Sequence, residues 1–549
     1  MRPFSLVFLL SVSGLAALAI ALAPTELHPV VNPQSTHQIS LNSGVRQSAQ
    51  LNLAEQTPRV KFGPAYFLSF YSYPASIAVG DLNNDGNLDL VVGDHYTNEV
   101  YVLLGNGDGT FKQPVTYYLG GSGVLSIAIG DLNGDGIPDL AAASPCPATG
   151  SCNGDEGVVS VLLGNGNGTF GAALSYSPNS YASDSVVIAD VNRDGKPDLV
   201  VANECQSSSC SSGNDGGVVS VLLGNGDGTF LTATNFSSGA IAATTVAVGD
   251  VNGDGKPDLI VGNGCLSDAD CNGGIVSVLL GRGNGTFKPA VTYSSGGYDA
   301  TSVAVGDLNG DGHLDVAVSN VCLTLDKCKY GLGPGGLGVL MGNGDGTFQP
   351  AATYLTGGLW ATSVALGDVN GDGNLDVVVS NLCESTDRFG DCNAGGMVGV
   401  LRGNGDGTFQ NPKKYNSGGS QSTSAAIGDL NGDGRPDLAV ADEDGGIGIL
   451  LNELIVTTKT ALTASPNPGA MNQSVTLTAT VSATPAVSNG ETVTFYNGST
   501  ALGTSTTTNG AASLTTSFSK AKTYAIKADY PGDAFHKKSS GTVKLLVNP

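Results

Sequence analysis

From residue 74 onward, short apolar runs alternate with clusters of Gly, Asn and Asp in a fixed order. In the first unit, Ser76-Ile77-Ala78-Val79-Gly80 precedes a polar loop, and Leu88-Asp89-Leu90-Val91-Val92 follows it. A variable loop then leads to Val100-Tyr101-Val102-Leu103-Leu104. Gly105-Asn106-Gly107-Asp108-Gly109-Thr110-Phe111 opens a more polar stretch, Lys112 to Leu119. β-Branched and aromatic residues bounded by Gly and Asn are strand and hairpin signals. The unit recurs seven times, and no segment after the N-terminal apolar run shows helical periodicity.

Four antiparallel strands per unit, repeated in this way, predict an all-β fold: a seven-bladed β-propeller. A lone four-stranded sheet cannot bury both faces, so neighbouring blades must stack. The first and second strands are nearly all apolar, as a hub requires, and the fourth is half polar, as a rim requires. The last unit stops at Ile449-Leu450-Leu451-Asn452 without the Gly-rich turn, whereas Val60 to Phe70 resembles a fourth strand. Residues 60–70 are therefore expected to supply the outer strand of the seventh blade, latching the ring and hiding two sheet edges.

The pattern divides the chain into four parts. Residues 1–23 read as a signal peptide, with Arg2 before an apolar run from Phe4 to about Ala23 and a small-x-small site at Ala19-Ile20-Ala21. An uncleaved membrane anchor is the alternative. Residues 24–59 are polar and patternless, a flexible leader. The propeller covers 60–455. From 456 to 549 the composition shifts to Thr, Ser, Ala and Val, with alternating runs such as Ser474 to Val481 and Glu491 to Tyr496. These predict a small Ig-like β-sandwich of about seven strands. It contains no Cys, so its core must hold without a disulfide.

Composition sharpens this outline. The 549 residues include 80 Gly, which recur at fixed places and so act as turn chemistry rather than as a sign of disorder. The formal net charge of −24 excludes nucleic acid as a partner. The ten Cys form five close pairs: Cys146/Cys152, Cys205/Cys210, Cys265/Cys271, Cys322/Cys328 and Cys383/Cys392. Each pair lies within one loop between second and third strands, so local disulfides are the simple expectation, and they agree with an oxidising compartment outside the cell. No His stands near any pair, unlike a zinc site. No membrane span is expected beyond the N-terminal run.

The acid gathers in a nonapeptide, D-x-N-x-D-G-x-x-D, beginning at Asp81, Asp131, Asp190, Asp250, Asp307, Asp368 and Asp429, 50 to 61 residues apart. In the first copy Asp81, Asn83 and Asp85 bring three side-chain oxygens together, the Asn87 carbonyl adds a fourth, and Asp89 closes the cage. Gly86 permits the bend. Oxygen donors without N or S suit calcium, which takes six to eight of them. The later sets are Asp131, Asn133, Asp135, Ile137 and Asp139; Asp190, Asn192, Asp194, Lys196 and Asp198; and Asp250, Asn252, Asp254, Lys256 and Asp258. They continue with Asp307, Asn309, Asp311, His313 and Asp315; Asp368, Asn370, Asp372, Asn374 and Asp376; and Asp429, Asn431, Asp433, Arg435 and Asp437. About seven structural Ca²⁺ ions are expected, which would leave a formal charge of −10. The string lacks the Glu of an EF-hand at position twelve and links strands rather than helices.

With these loops and turns, the sequence resembles the FG-GAP/VCBS repeat family, whose members include the propellers of integrin alpha subunits, over about residues 60–455. Phe62-Gly63 and Phe170-Gly171 keep the name-giving dipeptide, and most other copies do not. The resemblance implies calcium in the loop between first and second strands, and partner binding on the opposite face. The tail, including Tyr530-Pro531-Gly532-Asp533, resembles a bacterial Ig-like domain of surface proteins.

On that opposite face the connections between blades carry Tyr73, Tyr181, Tyr298 and Trp360, candidates to stack on sugar rings or anchor a protein. Packing against the neighbouring blade is the competing reading. Asp155, Glu156, Asp268, Asp270 and Asp391 read as solvated surface. The expected function is an exported or cell-surface adhesion or recognition module for a glycan or protein, not an enzyme. The alternatives are a carbohydrate-active lyase or hydrolase on a propeller scaffold, and a structural spacer. The five His (28, 37, 95, 313 and 536) do not cluster, and there is no nucleophile elbow or HExxH.

Overall fold

The computed structural model describes residues 61–549 apart from 70–72, 149–155, 209–215, 268–272, 325–332, 387–391, 444, 454, 484–485, 488 and 534. The expected signal and leader lie outside the described residues, as do Cys152, Cys210, Cys271, Cys328, Asp155, Asp268, Asp270 and Asp391.

The apolar runs become antiparallel strands. In the first unit these are Pro74–Gly80, Asp89–Asp94, Glu99–Leu103 and Val115–Tyr118, paired in chain order. Among the described residues seven such four-stranded units form. Four of them are joined in pairs by the long strands Thr234–Gly249 and Ala352–Gly367, each serving as outer strand of one unit and inner strand of the next. The seven inner strands touch in cyclic order, and Ser422–Gly428 of the last unit contacts Pro74–Gly80 of the first. The ring is therefore closed. No helix in the described residues is long and apolar enough to cross a membrane.

Stacking explains why the second strands are apolar throughout. Successive side chains of a strand point to opposite faces. Leu90 and Val92 accordingly pack with Ala439 and Ala441 of the seventh unit, while Val91 packs with Leu140 and Ala142 of the second. Both faces are buried, so all six residues of Asp89–Asp94 are buried. Each such aliphatic side chain contributes about 1.5–3 kcal/mol.

The seams carry two further devices. At the rim, the Phe of five of the six Gly-rich turns meets an aromatic of the preceding unit edge to face: Tyr117 with Phe170, Tyr176 with Phe230, Phe236 with Phe287, Tyr293 with Phe348 and Tyr354 with Phe409, while Phe111 packs in the cluster that holds Leu68. At the hub, a Thr at the bulge of the inner strand donates to a carbonyl of the next unit. Thr244 reaches Ala300 (2.7 Å), Thr301 reaches Ala361 (3.0 Å), Thr362 reaches Ser422 (3.0 Å) and Thr423 reaches Pro74 (2.9 Å). Thr423→Val removes the bond across the closing seam while nearly conserving volume. It is expected to cost about 1–2 kcal/mol in urea unfolding, whereas Thr463→Val, at an exposed position of the sandwich, should leave the midpoint unchanged.

The latch forms as the sequence suggests. Tyr66–Ser69 pairs antiparallel with Gly446–Leu450, from Tyr66 opposite Ile449 to Ser69 opposite Gly446. Phe62 bridges Asn452 and stacks on Tyr415 of the sixth unit at 5.1 Å and 86°, so it stands where the seventh unit's own turn Phe is missing.

After the ring, seven strands from Lys459–Ser465 to Ser539–Asn548, with the short Gly469–Ala470, form a three-stranded and a five-stranded sheet. Val475, Leu477, Val493, Phe495, Ile526 and Leu545 alternate inward to make their core. The linker ties to one end of the sandwich, with the Val456 amide donating to Phe535 O and the Lys537 amide to Val456 O.

Candidate functional site

Each nonapeptide folds into a loop whose side-chain oxygens turn inward onto its own amides. In the first loop Asp81 Oδ1 accepts the Asp85 amide (3.2 Å) and Asp81 Oδ2 the Gly86 amide (2.9 Å). Asn83 Oδ1 accepts the same Asp85 amide (2.9 Å), and Asp85 Oδ1 accepts that of Asn87 (2.8 Å). Oxygens of positions one and three thus meet over one N–H. Gly86 takes a φ of 85°, which a side chain rarely tolerates. The same bonds recur in the loops that begin at Asp131, Asp190, Asp250, Asp307, Asp368 and Asp429.

Position nine does more than close a cage. Both oxygens of Asp89 accept backbone amides, Oδ2 from Leu82 (2.9 Å) and Oδ1 from Gly105 (2.7 Å). Asp139, Asp198, Asp258, Asp315 and Asp376 do the same with their own loop and turn, and Asp437 does so with Leu430 and Asn452. This carboxylate is the pin that joins the loop to the turn. An oxygen engaged once still has a lone pair for a cation.

The turns in their turn reach the preceding unit. Gly109 donates to Leu430 O (3.0 Å), Gly228 to Leu132 O, Gly285 to Val191 O, Gly346 to Val251 O and Gly407 to Leu308 O. In the seventh unit, which has no turn, Asn452 Nδ2 supplies the bond to Val369 O (2.8 Å). Sequence reading took these Gly-Asn-Gly-Asp-Gly turns as hairpin chemistry alone and missed the link to the neighbouring blade.

Electrostatics favours a cation at the loops. Burial pushes the position-nine carboxyls up, and the carboxylates at positions one and five push the same way: Asp258 and Asp437 rise to about 6, and Asp376 to about 8. The donor set is oxygen throughout, as a hard divalent ion requires. It mixes carboxylate, amide and backbone oxygens. Among the described residues no three His, Cys, Asp or Glu side chains converge closely enough to hold a metal by themselves. Two loops carry a cation of their own, since Lys256 pairs with Asp254 (3.0 Å) and Arg435 pairs with Asp433.

The sixth loop is also covered. A Cβ placed on Gly371 would lie 2.8 Å from the Phe535 ring of the sandwich, and Asn370 is fully buried. The sandwich thus rests on the loop side of the ring.

On the opposite side, the register separates the four aromatic candidates. Tyr181 and Tyr298 pair with Cys205 and Cys322. Trp360 lies one position further along its inner strand, just before the bulge, beside Leu359, which pairs with Cys383. Tyr73 corresponds to Trp360, immediately before Pro74, which pairs with Asp94. Tyr73 is 49% exposed; the other three are half-buried. Trp360 holds a φ of 53°, as do Ala182 and, at 58°, Asp299 in the same register position. For a bulky side chain this left-handed conformation costs about 1–2 kcal/mol. Cys383 and Cys392 form a disulfide, and Cys146, Cys205, Cys265 and Cys322 are each disulfide-bonded, with their expected partners outside the described residues.

The same side holds carboxylates that the sequence did not single out. Asp184, at a bulge, and Glu204, in the adjacent strand, share a hydrogen bond, with Asp299 two units on adding its charge to both. Burial raises Asp184 well above the usual carboxylate range, and Glu204 with it; Asp299 rises to about 6. Only alignment of the seven registers brings these positions together.

An FG-GAP-like repeat profile matches residues 81–142, 150–201, 209–261, 266–318, 330–379 and 390–440, and an FG-GAP repeat profile matches 123–162. A bacterial Ig-like domain (group 3) profile matches 462–548. No curated protein matches the chain.

Proposed function

The chain belongs to the FG-GAP-like repeat family, and from that premise we propose an exported, calcium-stabilised recognition module that binds a glycan or a protein on the side of the ring opposite its nonapeptide loops. The observation that carries the reading is the difference between the two sides. The loop side is pinned by internal hydrogen bonds and at one blade bears the sandwich. The opposite side presents two aromatics at the same register position of two units, Tyr73, half exposed, and Trp360, half-buried, where an amphipathic ring can meet a partner. In each loop, the residues at positions one, three, five, seven (through its carbonyl) and nine would hold the calcium. Its role would be to neutralise the crowded carboxylates and fix the loop against the turn.

The secreted protein, residues 24–549, should bind members of a glycan or extracellular-protein array in calcium, and Trp360→Ala or Tyr73→Ala should weaken that binding at least tenfold. A folded, calcium-loaded sample that binds nothing would sink the reading. The Asp184–Glu204 pair favours the second reading, a hydrolase or lyase, because two carboxyls of unequal proton affinity can divide acid and base roles. Polysaccharide turnover lost in Asp184→Asn would establish it.

A further inference from the structure

At the closing seam a second group of residues stands apart from the loops. Asp94, buried, accepts the amides of Tyr73 (2.9 Å), Tyr96 (2.8 Å) and Thr97 (2.8 Å), and so fixes two tyrosines from different connections. Their rings meet at 4.9 Å and 84°, and Tyr96 is 53% exposed. The Tyr96 hydroxyl donates to Glu443 Oε1 of the seventh unit (3.0 Å). Glu443 is only 7% exposed, and its Oε2 is buried with no hydrogen-bond partner among the described residues. His95 packs its ring on Tyr96 at 4.5 Å, and burial lowers the pKa of its imidazole against the pull of Glu443 and Asp94. Among the described residues no Lys or Arg pairs with Glu443.

A buried carboxylate oxygen without a donor keeps its full desolvation penalty, so such a group calls for an explanation, and a bound donor is one that its chemistry fits. We propose that Glu443, Tyr96 and Tyr73 form a binding site for an organic cation that carries N–H donors: an alkylammonium or a guanidinium group. The N–H would bond Glu443 Oε2 as the exposed Tyr96 side chain swings aside, and the charge would lie against the electron-rich tyrosine faces. Two rings at right angles make a corner, not the flat platform on which a sugar ring stacks. A chain of formal charge −24 also draws cations toward such a corner. The site deepens the recognition reading and rests on it, because its natural source would be a Lys or Arg side chain of a partner or a free amine.

The test is calorimetric titration of the calcium-loaded protein with n-butylammonium and methylguanidinium at fixed ionic strength, with n-butanol and methyl β-glucoside as neutral controls. The cations should bind and the controls should not. Glu443→Gln keeps the shape and an acceptor for Tyr96; it should weaken cation binding at least tenfold, with unchanged melting as proof of folding. Tyr118→Phe, at an exposed rim position, should bind as the parent does. A tripeptide Gly-Lys-Gly amide binding tighter than n-butylammonium assigns a protein side chain as the source, and the reverse assigns a free amine. Equal cation binding by Glu443→Gln, equal binding of the neutral probes, or no cation binding overturns the site. An array partner whose binding survives Glu443→Gln overturns the site while leaving the recognition reading in place.

Discussion

Chelating calcium with EGTA is expected to lower the melting transition of the repeat ring by roughly 20 °C, while the transition of the C-terminal sandwich stays in place. Each loop holds three carboxylates, and at the sixth loop burial, with the charges of Asp372 and Asp368 adding to it, raises Asp376 to about 8. If each loop binds calcium with a Kd of ~10 µM, 1 mM calcium stabilises the fold by roughly 2.7 kcal/mol per loop. Seven such contributions, set against an unfolding entropy of roughly 0.8 kcal/mol/K for a ring of ~400 residues, give the stated shift. The sandwich has no nonapeptide and should not respond. Differential scanning calorimetry of the whole chain separates the two transitions, and an unmoved ring transition after exhaustive chelation would leave the loops as metal-free turns.

The loops should also respond unequally. Lys256 and Arg435 already neutralise one carboxylate in the fourth and seventh units, so these two should release calcium first. The sixth, beneath Phe535, should release it last.

Much of this was legible before any coordinate. Gly, Asn and Asp at fixed spacing mark the turns, and their seven-fold recurrence implies stacked sheets, because one sheet cannot bury Leu90 and Val91 at once. The rim aromatics were also readable in principle, since Tyr117, Tyr176, Phe236, Tyr293, Tyr354 and Tyr415 each follow a turn Phe by six residues. Their partners were not, because each of the first five contacts crosses a seam to a residue 51 to 55 positions away in sequence. The second role of position nine was hidden for a related reason. Asp89 reads as a ligand in the motif, yet its distant partner, the Gly105 amide, appears only once the third strand returns. Glu443 was invisible for the same reason. It lies far from Tyr96 in sequence, and ring closure alone brings the two into hydrogen-bonding contact. The ends of the repeat gave the clearest sequence warning, since Phe62 and Leu68 keep the six-residue phase at the wrong end of the chain.

That displaced phase leads to the second large effect. Phe62→Ala should destabilise the ring by about 3–5 kcal/mol, because Phe62 is 6% exposed and packs with Val369, Val400, Leu438 and Leu450 as well as Tyr415. Phe230→Ala, at an ordinary seam, should cost a similar amount, so stability alone does not distinguish them. The difference lies in what comes loose. Phe230 belongs to a unit whose four strands are continuous in sequence, and losing it leaves every strand paired. Phe62 holds down a segment tied to the seventh unit by the four residue pairs of Tyr66–Ser69, the amide of Gly63 and the Lys61–Glu453 contacts. Once that segment lifts, the edge of Gly446–Leu450 is bare, and its alternating Ile residues offer a template for another chain. Hydrogen exchange should therefore quicken selectively over residues 446–450 in Phe62→Ala, and the variant should self-associate below its melting temperature, whereas Phe230→Ala should do neither. Uniform exchange in both variants would mean that the ring opens elsewhere first, and that the hub, with Thr423 bound to Pro74, closes it without the latch.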